Sequence, residues 1–277
     1  MAIIIEAKNR WWSIGFRELW EYRNLVALFS GRSLATMYKQ SALGPAWFMI
    51  QPILTAFVFY IVFGVLIKLS TGGMPHMLFY MSGMMFWHLF VNVFQQTALT
   101  LSSNSHLFGK IYFPRLVMPL SNIITAATLF ALNLTTLAGF YAYYRVWGGA
   151  QMELRWSLLL LPALVAQICA AGFAFGLCVA AATVRFRDLK YMLPTIIQFW
   201  MFMTPIFYSS ARISPELRKY LWLNPVAAPV EYFRYSISGA NPVPLEAFAP
   251  GAALTLALLV VGLLWFNSAQ RDFIDVV

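Results

Sequence analysis

Charged residues divide this chain into long apolar stretches. Six stretches contain no Lys, Arg, Asp or Glu, and they cover residues 40–67, 69–109, 116–144, 156–184, 191–211 and 247–270. A helix of about 20 apolar residues spans a bilayer, and each stretch is at least that long. The apolar residues are continuous rather than alternating, which favours helices over the strands of a barrel. The pattern therefore predicts an all-α membrane protein with six transmembrane helices.

The segment before the first span is predicted to lie at the membrane surface. Residues 16–29 place aromatic and aliphatic side chains on one broad face and most charged ones opposite, as in an interfacial amphipathic helix. The alternative is a soluble helix packed on a partner. A second short helix is predicted over 33–43, because Pro45 disfavours helix at Gly44. The predicted division is an N-terminal cytoplasmic or interfacial segment, a six-helix membrane domain and a cytoplasmic tail, over 1–45, 46–270 and 271–277.

Residues 212–246, between the last two spans, are predicted to form a re-entrant hairpin on the outer side. They are too few for a domain and too apolar for a free linker, and Asn224-Pro225 interrupts them. Two short helices that dip back into the membrane fit both observations, and such a hairpin could gate a pore. The alternative is a surface lid without a gating role. The residues assigned to the predicted outer gate are Tyr220, Trp222, Tyr232 and Phe233.

Composition and charge agree with a membrane protein. Hydrophobic residues make up 61% of the chain and charged residues 10%, outside the usual range of soluble domains. The net charge is +9, but the 19 Lys and Arg lie in the caps and loops between spans. Basic residues at such positions set topology, so nucleic acid is not expected as a partner. Both termini are predicted to be cytoplasmic, because this orientation leaves most basic residues inside.

The sequence lacks the groups that would supply energy or catalysis. The predicted span cores contain no charged residue, although ion-coupled carriers need buried ionisable groups. No G-x-x-x-x-G-K-[ST] phosphate loop, HExxH or GxSxG motif occurs. Cys169 and Cys178 fall about half a helical turn apart in rotation and are expected to be packing residues rather than metal ligands. Energy for directional work must then come from another chain, and no cofactor or metal is expected on this one.

The loop between the second and third spans is the predicted contact for an energy-supplying partner. Residues 102–115 mix apolar and basic side chains, so a short helix here could seat in a partner's cleft with its cations on acidic rims. The alternative is a solvated loop whose basic residues only fix topology. The candidate coupling residues are Leu107, Phe108, Lys110, Phe113 and Arg115.

Several motifs, taken in order, resemble a known family. The motifs are YKQSALG at 38–44, KIYFPR at 110–115, FRDL at 186–189, TPIFY at 204–208 and NP at 224–225. Together they resemble the transmembrane permease of bacterial ABC exporters of polysaccharides. One position departs from the family pattern, since Thr204 stands where serine is more common, and this change keeps the hydroxyl group.

The resemblance implies a transport permease rather than an enzyme, placed in the bacterial inner membrane. The partners it implies are a second copy of this chain, two copies of an ABC ATPase subunit that carries ATP and Mg, and membrane lipids. The substrate it implies is an undecaprenyl-pyrophosphate-linked polysaccharide, with O-antigen as the first choice over capsule or teichoic acid.

Two further sets of residues suit this work. Aromatic rings can stack on the apolar faces of sugars along a channel, and the candidates are Phe57, Tyr60, Phe199, Trp200 and Phe202. The alternative for these rings is a lipid-facing belt. The lipid pyrophosphate needs cations at the inner entrance, and the candidates are Arg23, Arg32 and Lys39. They serve equally well as topology determinants or phospholipid anchors.

Two other classes of function stay open at this point. An intramembrane transferase acting on lipid-linked sugars would need a constellation of carboxylates or histidines, and Glu153, Asp188 and Glu231 are scattered along the chain. A membrane scaffold without transport activity would leave the outer hairpin and the proline-broken fifth span without a task.

Overall fold

The computed structural model describes residues 16–39, 43–44, 46–104, 113–149 and 152–276. Within these residues the regular structure is helical and contains no strand. We number the helices α1 to α11 in chain order. Their bounds are α1 Phe16–Glu21, α2 Arg23–Lys39, α3 Ala46–Leu66, α4 His76–Ala98, α5 Thr100–Ser103, α6 Val117–Val146, α7 Leu161–Arg185, α8 Leu189–Met203, α9 Pro215–Leu221, α10 Ala227–Ser238 and α11 Phe248–Val276.

Five of the described helices are long and apolar enough to cross a membrane. They are α3, α4, α6, α7 with the 3₁₀ turn Trp156–Leu160 before it, and α11 with the 3₁₀ turn Leu245–Ala247 before it. The fifth predicted span contains only α8, with 15 residues, which is shorter than a helix needs to cross alone. Thr204 is extended (ψ 141°), and Pro205 cannot continue a helix. Proline therefore ends this helix rather than kinking it.

The helix α4 is the centre of the fold. In its most apolar part 83% of the residues are buried, against 11% in α3. Its neighbours are α7, α6, α3, α10 and α8, and α11 packs on α7. The helices α3 and α8 flank this core and keep much of their surface exposed.

Two glycines bring α7 into close contact with α4. A Cβ atom on Gly172 would lie 2.9 Å from the carbonyl oxygen of Phe90, and one on Gly176 would lie 2.5 Å from Cβ of Thr97. Small residues spaced four apart let membrane helices approach at backbone distance. The neighbour at this pair of glycines is α4 of the same chain.

The N-terminal helices differ from the prediction in where they divide. The break falls at Tyr22, so that a single helix, α2, covers Arg23–Lys39 through the expected gap at residues 30–32. Nothing in that gap stops a helix, because Gly31 is tolerated within one and no proline occurs. Val26 and Phe29 of α2 pack on Phe113 and Val117 at the start of α6. The residues from Arg23 to Lys39 therefore form one long helix, where the sequence predicted parts of two short helices.

Candidate functional site

The segment between α8 and α11 is a compact hairpin tied to the core. It contains two short helices as predicted, α9 and α10. Helix α9 is mostly exposed, whereas all but one of the residues from Ala227 to Ile237 in α10 are buried. Helix α10 packs against α4 and α7. Gly239, in the left-handed region at φ +73°, ends it.

Arg234, on α10, uses all five of its N–H donors inside the protein. Nε donates to the hydroxyl of Ser82 at 3.3 Å, and Nη2 donates to the carbonyl oxygens of Phe79 and Ile206, each at 2.9 Å. Nη1 donates to the carbonyl oxygen of Pro205 and, at 2.8 Å, to the carboxylate of Glu231. This one side chain thereby joins α10, α4 and the segment that follows α8.

Glu231 completes the cluster from one turn earlier on α10. Its second carboxylate oxygen accepts hydrogen bonds from the backbone N–H of Ser210, at 3.0 Å, and from the hydroxyl of Ser210. Both charged side chains are buried, so each depends on the other for compensation. Burial lowers the pKa of the Arg234 guanidinium, and the neighbouring Glu231 carboxylate opposes that change.

A glycine makes room for this ion pair. A Cβ atom on Gly83 of α4 would lie 2.5 Å from Nη2 of Arg234 and 3.2 Å from Cα of Ile206. A side chain there would push the guanidinium and the backbone after α8 away from α4. Gly83 therefore fixes how closely the hairpin sits on the core.

Two of the sequence motifs meet next to the ion pair. The side-chain amide of Asn224 donates to the hydroxyl of Thr204 at 2.8 Å, and its carbonyl oxygen accepts from the N–H of Val226 at 3.1 Å. The hydroxyl of Thr204 in turn donates to the carbonyl oxygen of Trp200 at 3.0 Å. The TP motif ends α8 and the NP motif lies in the turn between α9 and α10, so this contact ties the middle of the hairpin to the end of α8.

Sequence reasoning missed the ion pair. Glu231 appeared only among scattered carboxylates, and Arg234 was not singled out. The available signal was their spacing, because an acid and a base three residues apart in a helix face each other. The long-range partners, Ser82 and Phe79, could not be read from any local pattern.

The predicted gate residues fall into two groups. The side chain of Tyr220 is 72% exposed and Trp222 is half-buried, both near the end of α9. Tyr232 and Phe233 are buried in α10, with ring centroids 5.4 Å from Phe248 and 5.1 Å from Phe86 respectively. These two rings anchor α10 to α11 and α4. Of the four predicted gate residues, only Tyr220 has a mainly exposed ring.

The candidate channel aromatics divide in the same way. Phe57 on α3 and Phe199 and Phe202 on α8 point away from the core, with 50%, 69% and 53% of their surface exposed. Trp200 instead packs inside, with ring centroids 4.9 Å from Phe90 and 4.7 Å from Phe175. Tyr60 is half-buried, 5.6 Å from His76. Phe57, Phe199 and Phe202 are therefore the candidates that remain available to another molecule.

Sequence comparison then assigns the chain to a family. Residues 24–238, well over half of the chain, match the family described as ABC-2 type transporter. The chain belongs to this family. It is similar to the O-antigen export system permease protein RfbA of Myxococcus xanthus, with 27% identity over 94% of this chain and 97% of that protein. Two proteins of the same name from Klebsiella pneumoniae are each 24% identical over 91% of this chain and 95% of their own length.

Part of the predicted coupling loop of this ABC-2 transporter chain lies in the described residues. Phe113 is buried, with its ring 5.8 Å from Phe29 of α2, and Arg115 is half-buried. Burial lowers the pKa of the Arg115 guanidinium. The other predicted coupling residues, Leu107, Phe108 and Lys110, lie outside the described residues.

The candidate entry cations of the ABC-2 transporter chain all lie on α2 with exposed side chains. Arg32 and Lys39 are two turns apart and therefore share one side of the helix. Arg23 lies on the opposite side, where its guanidinium sits 5.4 Å from the ring centre of Trp20. Among the described residues, no group of His, Cys, Asp and Glu could hold a metal ion.

Proposed function

We propose that this ABC-2 transporter chain is the channel-forming membrane subunit of an exporter that moves a lipid-linked polysaccharide, most specifically O-antigen, across the bacterial inner membrane. The similarity to O-antigen export permeases over more than nine-tenths of the chain supports the substrate class. The observation that carries the mechanism is that both α3 and α8 carry exposed aromatic rings, Phe57 on α3 and Phe199 and Phe202 on α8. Flat rings on an open helix face give a sliding glycan weak, repeated contacts.

We infer that the working unit contains two copies of this chain. Only 11% of the most apolar part of α3 is buried within one chain, whereas 83% of that part of α4 is buried. Two copies related by a twofold axis would bring both α3–α8 sides around one shared path. Membrane lipids would cover the remaining apolar surface.

The proposed topology keeps six crossings with both termini in the cytoplasm. Helix α8 would start at the inner side, and residues 204–209 after it would complete the fifth crossing within protein contacts. Non-helical backbone is tolerated at such depth where protein surrounds it. The buried residues Thr204, Ile206 and Phe207 support this path. The hairpin of α9 and α10 would then enter from the outer side as a re-entrant element.

The proposed energy source is ATP with Mg, bound by two copies of a separate ABC ATPase subunit. The loop with Leu107, Phe108, Lys110, Phe113 and Arg115 would receive the stroke. The packing of Phe113 on α2 supports this role, since a push there would reach α2 and α6 together. A Phe108→Asp variant is expected to keep its ATPase partner active while export stops. The cations Arg23, Arg32 and Lys39 would meet the pyrophosphate of the undecaprenyl carrier at the inner face.

Deletion of the gene in its native host tests this function. Full-length lipid-linked glycan is expected to accumulate inside the cell and to disappear from the surface, as measured with a glycan-specific antibody on intact and on permeabilised cells. A plasmid copy should restore display. Unchanged surface glycan after deletion would refute the proposal.

The same measurement separates export from the transferase alternative. Loss of a transferase would change the composition or length of the glycan, whereas loss of an exporter leaves a complete polymer inside. The structure offers no support for a transferase at Glu231, because both of its carboxylate oxygens are taken up by Arg234 and Ser210.

A further inference from the structure

A cleft with a mixed polar and apolar lining lies at the outer end of the hairpin. It has about 280 Å³ of space for a ligand, close to the lower end of the range of small-molecule sites, roughly 300–1,000 Å³. The 3₁₀ turn Ser210–Arg212, the helix α9 and the loop after α10 surround it. The residues that shape it are Ser210, Arg218, Trp222, Asn241, Pro242 and Pro244.

Arg218 forms a fixed part of the cleft wall. Its Nη2 atom donates to the carbonyl oxygens of Ala211 at 3.1 Å and Ile213 at 2.9 Å, which holds the guanidinium in place. Its Nε atom is buried and finds no acceptor among the described residues. Because Nε has no accessible surface, a molecule in the cleft cannot reach it, and Arg218 shapes the wall of the cleft.

Trp222 and the prolines supply a flat apolar wall. The indole of Trp222 is half-buried and packs on the core on one side while it lines the cleft. Pro242 and Pro244 line the same cleft. A flat aromatic surface beside a small number of placed polar groups is the usual composition of a site for a partly apolar, partly hydroxylated ligand.

Asn241 adds an amide whose position is fixed by the backbone. It has φ +57°, a left-handed conformation that asparagine tolerates better than most residues. Its side chain lies against Gly72, where a Cβ atom would come within 2.3 Å of the amide nitrogen. The amide therefore stands at the cleft edge as a hydrogen-bonding group for a molecule in the cleft.

We propose that this outer cleft binds a sugar unit of the exported glycan, with the apolar face of one ring on Trp222 and a hydroxyl group hydrogen-bonded to the side-chain amide of Asn241. This inference rests on the proposed export function and names a contact for the glycan where it leaves the membrane. A sugar fits better than a lipid phosphate, because the one guanidinium at the cleft already gives Nη2 to two carbonyl groups. A phosphate is usually bound by a bidentate guanidinium or by several donors.

The cleft is connected to the buried ion pair through Ser210. This residue lines the cleft and also donates to Glu231, which in turn pairs with Arg234. A sugar held here would lie on the turn that links the end of α8 to α10. Occupancy would therefore favour the arrangement of the hairpin that the ion pair stabilises.

Saturation-transfer NMR on the purified full chain in lipid nanodiscs tests the proposal. The probes are methyl α-D-mannopyranoside, methyl β-D-galactopyranoside and methyl α-L-rhamnopyranoside, each measured alone. At least one is expected to receive magnetisation at its ring protons. Binding should weaken about five- to tenfold in Trp222→Ala, as expected for the loss of a stacking contact. Asn241→Gly should also weaken it while keeping the left-handed backbone.

Trp156→Ala is the matched control, because Trp156 is 88% exposed and lies outside the cleft. This variant should bind as the wild type does. Equal signals in Trp222→Ala, Asn241→Gly and wild type, in variants that keep the wild-type melting temperature, would overturn the proposal. So would the absence of signal from all three glycosides, or a Trp222-dependent signal from short-chain phosphatidylglycerol in place of any glycoside.

Together with the gene deletion, the NMR experiment distinguishes failure of the cleft proposal from failure of the proposed export function. If deletion strands glycan inside the cell but no glycoside binds, the export function stands and the cleft proposal fails. If deletion leaves surface glycan unchanged, the export function itself fails, whatever the NMR shows.

Discussion

Arg234 is a position where a substitution is expected to destabilise the protein strongly. All five of its donors and both oxygens of Glu231 are occupied by groups from α4, α10 and the turn after α8. Breaking one side of a buried pair leaves an uncompensated charge, whereas removing both charges is often tolerated. The stability of this buried pair therefore depends on all of its hydrogen bonds being made, rather than on the strength of any one of them.

The first prediction concerns this pair. Arg234→Met is expected to cost about 3–5 kcal/mol, because Glu231 is left buried without its partner. The melting temperature of the detergent-solubilised protein measures the change. The double variant Arg234→Met with Glu231→Gln should recover part of the loss. Arg212→Met, at an exposed position in the same hairpin, should melt as the wild type does; an equal loss there would contradict this account.

A second prediction at the residue scale uses Thr204. Thr204→Val removes the hydroxyl that bonds to both Asn224 and Trp200, so it should cost about 1–3 kcal/mol by leaving buried polar groups unpaired. Thr204→Ser keeps the hydroxyl and should cost clearly less. Thermal unfolding of the two variants side by side gives the comparison, and identical curves would show that the hydrogen bond does not matter.

At the scale of helices, α4 and α7 pack closely because two glycines of α7 have no side chains at the contact. Gly172 and Gly176 place the backbone of α7 directly against Phe90, Phe94 and Thr97 of α4. Dispersion contacts and close approach drive such packing in lipid, where water is not available to push helices together. Any added atom must separate the two helices along their whole contact.

The third prediction follows from that contact. Gly176→Ala is expected to destabilise the protein by about 1–3 kcal/mol, because the new methyl group meets backbone and Cβ atoms of α4 that cannot rotate away. Gly139→Ala in α6 is the matched control, since a Cβ atom there has nothing within 4 Å. Alanine should leave that helix unchanged or more stable. Thermal melting that ranks the two variants in the opposite order would refute this packing argument.

The sequence predicts elements more reliably than their contacts. Spans follow from charge-free runs, because lipid forbids unpaired charge over a fixed length, and the close approach at Gly172 and Gly176 follows from residue size. The end of α8 at Thr204 was not predicted, since a proline near the end of an apolar run is compatible with either a kink or a stop. The ion pair escaped because Arg234 and Ser82 are 152 positions apart and meet only in the folded chain.

At the scale of the whole molecule, a buried group of core helices can be distinguished from two flanking helices with exposed aromatic rings. The core is α4 with α7, α6, α10 and α11, and its large side chains contact each other. The flank is α3 and α8, whose outward faces carry exposed Phe57, Phe199 and Phe202. Neighbouring residues on α8 therefore belong to different parts of the molecule.

The fourth prediction uses two such neighbours. Trp200→Ala should lower stability by about 3–5 kcal/mol, because its ring fills a space between Phe90, Phe94 and Phe175. Phe199→Ala should leave the melting temperature nearly unchanged and reduce surface glycan in the complemented deletion strain. If Phe199→Ala melts like Trp200→Ala, or displays glycan normally, that face of α8 does not line the export path.

The central position of α4 also has a consequence for biosynthesis, because α4 is synthesised before several of the helices that pack around it. This helix leaves the ribosome early, while its largest partner α7 ends only at Arg185 and α11 begins at Phe248. At roughly 5–20 residues per second, α4 waits several seconds before the surfaces that cover it exist. During that interval its future contact face, including Thr97 and the backbone opposite Gly172, is held by lipid or by the insertion machinery. A newly made chain therefore depends on its membrane surroundings most at the helix that the finished protein shields best.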